Sequence, residues 1–139
     1  MPRKTDSNNP ADWLWISASD LEGVRELASR ELSHSLCRGK LAEILEKIIK
    51  AELIRLGWRL EKTHELNRLA LALRSYGSPS ETAATPLCQA LADDYFTTRY
   101  PGFDLDDPDW PALRTQVEQV AALLAAVQAR VAGPDAPRA

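Results

Sequence analysis

The sequence predicts an all-α protein, and three observations carry that prediction. Apolar residues recur at steps of three and four in five segments, as on the buried face of a helix. No segment alternates apolar and polar residues, as a half-buried strand would. Turn signals at Gly57, Gly77-Ser78-Pro79-Ser80, Pro101-Gly102 and Gly133-Pro134 end the later segments. The five predicted helices lie near residues 11–33, 36–56, 64–76, 85–99 and 110–131.

Length and composition indicate a single globular domain. The chain has 139 residues, of which 45% are hydrophobic, which is ordinary for a folded domain. We expect a disordered arm over residues 1–10, a helical domain over 11–132 and a loose tail over 133–139. No apolar run approaches the ~20 residues that a membrane-spanning helix needs, and the N-terminus does not have the pattern of a secretory signal. A cytoplasmic protein without membrane contact is therefore expected.

The second predicted helix is the element around which the others are expected to pack. Seven apolar residues form its stripe: Leu41, Ile44, Leu45, Ile48, Ile49, Leu53 and Leu56. Four charged residues lie opposite, at spacings that favour ion pairs: Glu43, Glu46, Lys47 and Lys50. Ile54 makes the stripe wider than one partner helix needs, which predicts a central position. Gly57, which adopts the left-handed conformation readily, predicts the end of this helix.

Local signals predict the limits of the remaining helices. Pro10 is suited to open the first helix, in which Trp13 and Trp15 are expected to cover the core. His34 is expected to be a polar residue at the start of the second helix. Thr85 and Pro86 predict the start of the fourth helix, with Leu87, Leu91 and Tyr95 facing inward. The fifth helix is expected to begin near Asp107 or Asp109, and both Cys37 and Cys88 to be buried.

The charge distribution directs attention to the turn before the third helix. Residues 37–74 hold nine Lys and Arg against five Glu, whereas residues 81–110 hold one Arg against seven Asp and Glu. Such an arrangement fits either internal pairing or a local positive field that attracts anions. Within the turn Trp58–His64, Thr63 is a candidate N-cap, and an imidazole among cations is a candidate general base. Alternatively, His64 only starts the third helix and bonds its neighbour.

Arg99 and Tyr100 form a second candidate constellation. In the structural alternative, Arg99 stabilises the helix dipole at a helix C-terminus and Tyr100 packs against the bundle. Arg99 can also pair with Asp104 or Asp106 and so hold the following loop. In the functional alternative, Arg99 contacts a phosphate and Tyr100 stacks on a base or bonds a ribose. In an up-and-down bundle, the end of the fourth helix is expected to return to the end at which His64 lies. No phosphate-binding loop, metal cluster or cofactor motif occurs, so neither metal nor cofactor is expected.

At these residues the sequence resembles the HEPN domain, the prokaryotic and eukaryotic nucleotide-binding helical domain. The resemblance spans roughly residues 11–130 and rests on Trp13 with Asp20-Leu21, the helix Ala42–Leu53, Gly57, Lys62–Leu66, Tyr95 and Arg99-Tyr100-Pro101. It implies an up-and-down four-helix bundle with an additional short helix. It also implies a homodimer that pairs with a minimal nucleotidyltransferase, as in toxin–antitoxin systems, and catalytic members that are metal-independent ribonucleases.

Three functions follow as alternatives. The first is a regulatory partner of a nucleotidyltransferase that binds nucleotide or RNA through Lys62, His64, Arg99 and Tyr100. The second is an active ribonuclease toxin in which His64 takes the 2′-hydroxyl proton and Arg59 or Arg99 stabilises the developing charge. Arg59 and His64 have the family's Arg-to-His spacing, whereas no histidine follows Arg99 at that distance. The third is a purely structural helical protein.

Overall fold

Helices are the regular elements of the computed structural model, which describes residues 7–98 and 107–133. They are α1 (Pro10–Ser29), α2 (His34–Arg55), α3 (Leu66–Ser75), α4 (Glu81–Leu91), α5 (Asp94–Thr97) and α6 (Trp110–Val131). No strand occurs in these two ranges, which confirms the all-α prediction. Within the same ranges, no helix is both long and apolar enough to cross a membrane.

α2 lies at the centre of the bundle, as its wide apolar stripe predicts. It packs against α1, α3, α4, α5 and α6. Six residues of the stripe are at most 1% exposed: Leu41, Ile44, Leu45, Ile48, Ile49 and Leu53. Burying one such side chain stabilises a fold by about 1.5–3 kcal/mol. α2 therefore makes a large hydrophobic contribution to folding, against the buried faces of the helices around it.

Contacts between helix ends establish the up-and-down order. α1 is antiparallel to α2, because Asp20 pairs with Lys47 and Trp13 lies nearer the α2 C-terminus, against Lys50. α6 is parallel to α2, since Trp110 contacts His34 at one end and Arg130 pairs with Glu52 near the other. α4 runs antiparallel to α2, from Ser80 beside Glu52 to a following α5 in which Asp94 pairs with Arg38. The helices α1, α2, α4 and α6 therefore alternate in direction.

Several predicted caps are confirmed. The Asn9 side chain accepts a hydrogen bond from the Ala11 amide ahead of Pro10, and the Asp109 side chain accepts one from the Ala112 amide. Gly57 has a φ of 93°, and the Trp58 amide donates to the Leu53 carbonyl at 2.9 Å. This hydrogen bond closes α2 in the way that a left-handed glycine permits. Cys37 and Cys88 are buried as expected.

The first helix is shorter than predicted. α1 ends at Ser29 rather than near residue 33. Glu31 adopts a left-handed φ of 53°, and the Leu32 amide donates to the Leu27 carbonyl at 3.0 Å. The chain thus closes the helix without glycine, which is why no sequence signal marked the end. Trp15 also differs from the expectation, because it is 74% exposed and does not cover the core.

The predicted helix over residues 85–99 is also wrong in its bounds. α4 begins at Glu81, so Pro86 lies inside it rather than at its first position, and the helix ends at Leu91 before the separate α5. The early start follows from tertiary contacts, since the hydroxyl groups of Ser78 and Ser80 are held by the buried Glu52. Leu87 and Leu91 face inward as predicted, whereas the Tyr95 side chain lies outside the described part of the structure.

Candidate functional site

The turn between α2 and α3 brings His64 back along the side of α2. The turn starts at Gly57, after the end of α2. The His64 ring nevertheless contacts Glu46, which lies nine residues before Arg55, the last residue of α2. At about 1.5 Å per residue, this amounts to about 13 Å along the helix axis. Glu65 is the N-cap residue of α3, so the prediction of Thr63 as the cap is wrong. The Thr63 hydroxyl instead accepts a hydrogen bond from the Glu65 amide at 3.2 Å.

His64, Glu46, Lys50 and Trp13 form a connected group, which we call the His64 cluster. His64 Nδ1 lies 2.9 Å from Glu46 Oε1, and Lys50 Nζ donates to Glu46 Oε2 at 3.2 Å. The Lys50 ammonium lies 5.6 Å from the centre of the Trp13 ring, within the range of a cation–π contact. Glu46 therefore links α2 to the turn before α3, and Lys50 links the same group to α1.

The His64 cluster is buried at its base and open at its top. The side chains of Glu46 and Lys50 are only 8% and 5% exposed, whereas that of His64 is 53% exposed. The sequence placed Glu46 and Lys50 on the polar face of α2, but α1 and the turn cover that face. Removing two charges from water is costly unless each is paired, and these two are paired with each other. The result is a half-exposed imidazole fixed to a rigid, buried carboxylate.

Exposed basic side chains surround this imidazole along the chain. Arg59 and Lys62 are both exposed on the turn. At the start of α3, Arg68 pairs with Glu61 at 3.0 Å. His34, by contrast, is the first residue of α2 and packs edge-on against Trp110, with ring centres 4.8 Å apart. His34 thus has the position expected of a residue at a helix start and lies far from the His64 cluster.

Arg99 and Tyr100 lie outside the described residues, as does Asp104. Thr98, the last described residue before them, lies against Gly39 so closely that a Cβ there would collide with it. The fourth helix therefore finishes at the start of α2, not at the end from which the turn departs, and that topological expectation is wrong. His64 nevertheless returns to Glu46, seven residues along from Gly39. Seven residues are about two turns of helix, so both contacts lie on one face, about 10 Å apart.

A second buried carboxylate, Glu52, was not identified from the sequence. Its side chain is fully buried, and its oxygens contact Arg55 Nε at 2.6 Å, Ser78 Oγ at 2.8 Å and a terminal nitrogen of Arg130 at 2.9 Å. Burial raises the pKa of Glu52, but hydrogen bonds from Arg55 and Ser78 and the charges of Arg130 and Arg55 outweigh it, so the net pKa is lowered. The signal for this residue was its position, since Glu52 follows Ile48 by four and Ile49 by three and so falls on the apolar stripe.

Other kinds of reactive site find little support in residues 7–98 and 107–133. Within these ranges, no group of His, Cys, Asp and Glu side chains is arranged to hold a metal ion. Burial raises the pKa of the Cys88 thiol to about 12 and also raises that of Cys37. A thiolate nucleophile is therefore disfavoured at both cysteines.

A model of the HEPN domain matches residues 11–128 of the chain. The chain belongs to the HEPN family. Neither a curated protein nor a solved structure matches it. The matched region contains the whole His64 cluster and the basic turn, so the site lies within the HEPN domain itself. HEPN proteins are often ribonucleases or components of toxin–antitoxin systems.

Proposed function

We propose that this HEPN protein binds RNA or nucleotide at the His64 cluster and the basic turn beside it, as the partner of a minimal nucleotidyltransferase. The observation that carries the proposal is the fixed but half-exposed imidazole of His64 above a buried ion pair. Keeping Glu46 and Lys50 out of water is costly, and such buried polar groups rigidify the side chains that they hold. A binding site needs side chains that are already held in position to contact the ligand.

Two neighbouring cations supply the attraction for a phosphate backbone. Arg59 and Lys62 are exposed, so they can reach a ligand without losing an internal partner from the core. Each phosphate contact made by such a side chain releases a counterion. Arg99 and Tyr100 are proposed to complete the site, and the position of Thr98 on the same face of α2 supports that placement.

Binding of a labelled single-stranded RNA at several salt concentrations tests the proposal. Arg59→Gln and Lys62→Gln should each weaken binding and reduce the slope of log affinity against log salt by about 0.7. Arg30→Gln is the matched control, because Arg30 is also exposed but lies at the other end of α2, before its first residue. Equal losses in all three variants would mean that only net charge matters and that the turn is not a site.

A second candidate function is ribonuclease activity, and one observation favours it. A base whose other ring nitrogen bonds a carboxylate is the arrangement that orients a catalytic histidine. His64 Nε2 would take the 2′-hydroxyl proton, O2′ would attack phosphorus, and the 5′-oxygen would leave with a proton from water, giving a 2′,3′-cyclic phosphate. Arg59 would stabilise the charge on the phosphoryl oxygens. Cleavage of RNA without added metal, lost in His64→Gln, tests this function.

The proposed assembly is a homodimer. Three large apolar side chains outside the core support it: Trp15 is 74%, Leu71 65% and Leu36 58% exposed. Exposed apolar surface of this kind marks interaction sites. Sedimentation should give about twice the chain mass of 15.4 kDa, and Trp15→Glu should shift the population toward monomer if α1 forms the interface. Copurification with a coexpressed minimal nucleotidyltransferase tests the other partner.

A further inference from the structure

We propose that the cleft between α4 and α6 docks a helical segment of a partner protein that has an apolar stripe, an acidic end and a basic end. The cleft lies between residues 79–90 and 116–130, and we call it the α4–α6 groove. Its volume is about 480 Å³, and the described residues that line it do not include the His64 cluster. Neither RNA binding nor the proposed homodimer is required for this docking.

Small apolar side chains form most of the α4–α6 groove. Leu87 and Leu123 form its floor and are only 5% and 4% exposed. Four exposed alanines stand above them: Ala83, Ala90, Ala122 and Ala126. Of the thirteen described residues that line the groove, Arg130 alone is charged, although 27% of the chain is charged. The cores of protein interfaces are depleted of charge in this way, and small side chains allow a third helix to approach closely.

Pro86 distinguishes this face from an ordinary helix surface. It lies inside α4, is exposed and lines the groove. Because proline has no N–H group, the carbonyl of Thr82 loses its α-helical donor. A proline inside a helix costs about 3 kcal/mol relative to alanine, and such local costs are usual at functional sites. Thr82 also lines the groove, so its carbonyl acceptor lies beside the docking surface.

One end of the α4–α6 groove has an excess of positive charge. The Glu52 carboxylate faces two guanidinium groups there, that of Arg55 at 2.6 Å and that of Arg130 at 2.9 Å. One carboxylate cannot neutralise both cations. The Arg130 side chain is 26% exposed, and its Nε atom is buried without a hydrogen-bond partner. A carboxylate of the docked segment would balance the remaining charge.

The opposite end of the groove is acidic. It joins a second cleft of about 330 Å³, because the two clefts share two lining residues. Arg38 and four aspartates line this second cleft, and Asp94 is the aspartate that pairs with Arg38. Asp93 and Asp107 are exposed, so negative charge is in excess here. A lysine or arginine of the docked segment is the complementary group.

The distance between the two charged ends sets the length of the segment. Gln116 and Arg130 are fourteen residues apart on α6, which is about 21 Å along a helix. A helix of about four turns spans that distance, with apolar residues at steps of three and four facing Ala122 and Ala126. The charge at each end of the segment determines which end of the groove it faces.

Three designed helical peptides of that length test this docking by fluorescence anisotropy. They share one apolar stripe and differ only at their ends: Glu and Lys in the first, Glu at both ends in the second and Lys at both ends in the third. The mixed peptide should bind about fivefold more tightly than the other two, since each of those loses one exposed ion pair. In the double variant Asp93→Lys, Asp107→Lys, the peptide with two Glu ends should become the tightest binder.

A matched pair of substitutions on α6 tests whether the groove is the binding surface. Ala122→Glu places an unpaired charge in the groove and should weaken binding of the mixed peptide more than about tenfold. Ala125→Glu is the control, because Ala125 is exposed on the same helix but is not among the described residues that line the groove. It should change the affinity less than about twofold. Circular dichroism melts check that both variants are folded.

Distinct results would overturn the parts of this inference. Equal affinities of the three peptides would refute the charge polarity, and equal losses in Ala122→Glu and Ala125→Glu would refute the location. No binding of any peptide by the folded wild type would refute the docking altogether. A dimer that sediments as a monomer only in Ala122→Glu would mean that a second copy of this chain occupies the groove instead. These measurements use no RNA, so failure of the docking leaves the proposed function to its own test.

Discussion

Glu46 and Glu52 lie six residues apart on α2, and both are buried, at 6% and 0% exposure. Glu52 faces two arginines and two serines that join α2 to the α3–α4 turn and to α6. Glu46 faces one buried lysine and one histidine that is half exposed. The Glu52 contacts tie helices together through two arginines that are 21% and 26% exposed, whereas the Glu46 contacts end at a histidine that is 53% exposed.

Burial of a charged side chain therefore does not by itself indicate a functional role. A buried carboxylate whose partners come from several helices stabilises the fold by holding those helices together. A buried carboxylate with one partner at the surface fixes the orientation of that partner. Metal and catalytic sites use the same arrangement, in which a residue behind the ligand-contacting side chain holds it in place. Three variants, at Ile48, Glu52 and His64, test this contrast.

The largest effect is expected from Ile48→Asp, which adds a third carboxylate between the two natural ones. Ile48 is 0% exposed, and its neighbours on the apolar stripe offer no cation. An unpaired buried charge typically costs more than about 3 kcal/mol, so the variant should be unfolded or nearly so by circular dichroism. Ile48→Val, which only shortens the side chain, should cost about 1 kcal/mol. A melting temperature equal to that of the wild type would mean that Ile48 is not in the core.

Glu52→Gln should have the next largest effect. This substitution leaves Arg55 and Arg130 without the negative charge that they face in the wild type. Loss of one partner from a buried ion pair costs about 3 kcal/mol. Urea denaturation should show this loss, while RNA affinity at a temperature where the variant is folded should stay within about twofold. Loss of binding in the folded variant would place Glu52 in the site rather than in the scaffold.

The pH dependence of stability should change in the same variant. Glu52 has a lowered pKa in the folded protein relative to its ordinary value of 4.5. The unfolded chain therefore binds a proton more readily, and the stability that Glu52 contributes is present above about pH 4.5 and is lost as the pH falls through the lowered value. The difference in unfolding free energy between wild type and Glu52→Gln should shrink across that acidic range. A constant difference would contradict the lowered pKa.

The smallest effect on stability is expected from His64→Gln, at about 1 kcal/mol. The buried Glu46–Lys50 pair stays intact in this variant, and His64 is half exposed, so water can replace part of its contact with Glu46. Thermal melts of His64→Gln and Glu52→Gln under identical conditions measure the contrast. A larger loss of stability in His64→Gln than in Glu52→Gln would contradict the assignment of Glu46 to the site and Glu52 to the scaffold.

Much of the fold was accessible from the sequence because its signals are local. The apolar stripe of α2, the Asn9–Pro10 start of α1 and the closure at Gly57 each depend on residues a few positions apart. Helix limits failed where the cause was not local. Glu31 closes α1 in a conformation usual for glycine, and Ser78 and Ser80 start α4 early because Glu52 from another helix holds them.

Only part of the candidate site could be predicted from the sequence, again because only part of its pattern is local. The basic turn and His64 could be identified, since exposed cations beside an imidazole form a pattern along the chain. The partners of His64 could not, because Glu46 and Lys50 have the spacing of an ordinary surface ion pair. The pair is buried beneath His64 only because α1 packs Trp13 against Lys50.

The helical class, the central position of α2 and the family could be predicted from the sequence, because periodicity and motif spacing depend only on the order of residues along the chain. Which charged side chains are buried depends instead on how the helices pack. The free energy of a charged side chain depends on which other helix covers it and which partners that helix brings. Glu46 and Glu52 are the same residue on the same helix, and their different neighbours make one the support of His64 and the other a link between helices.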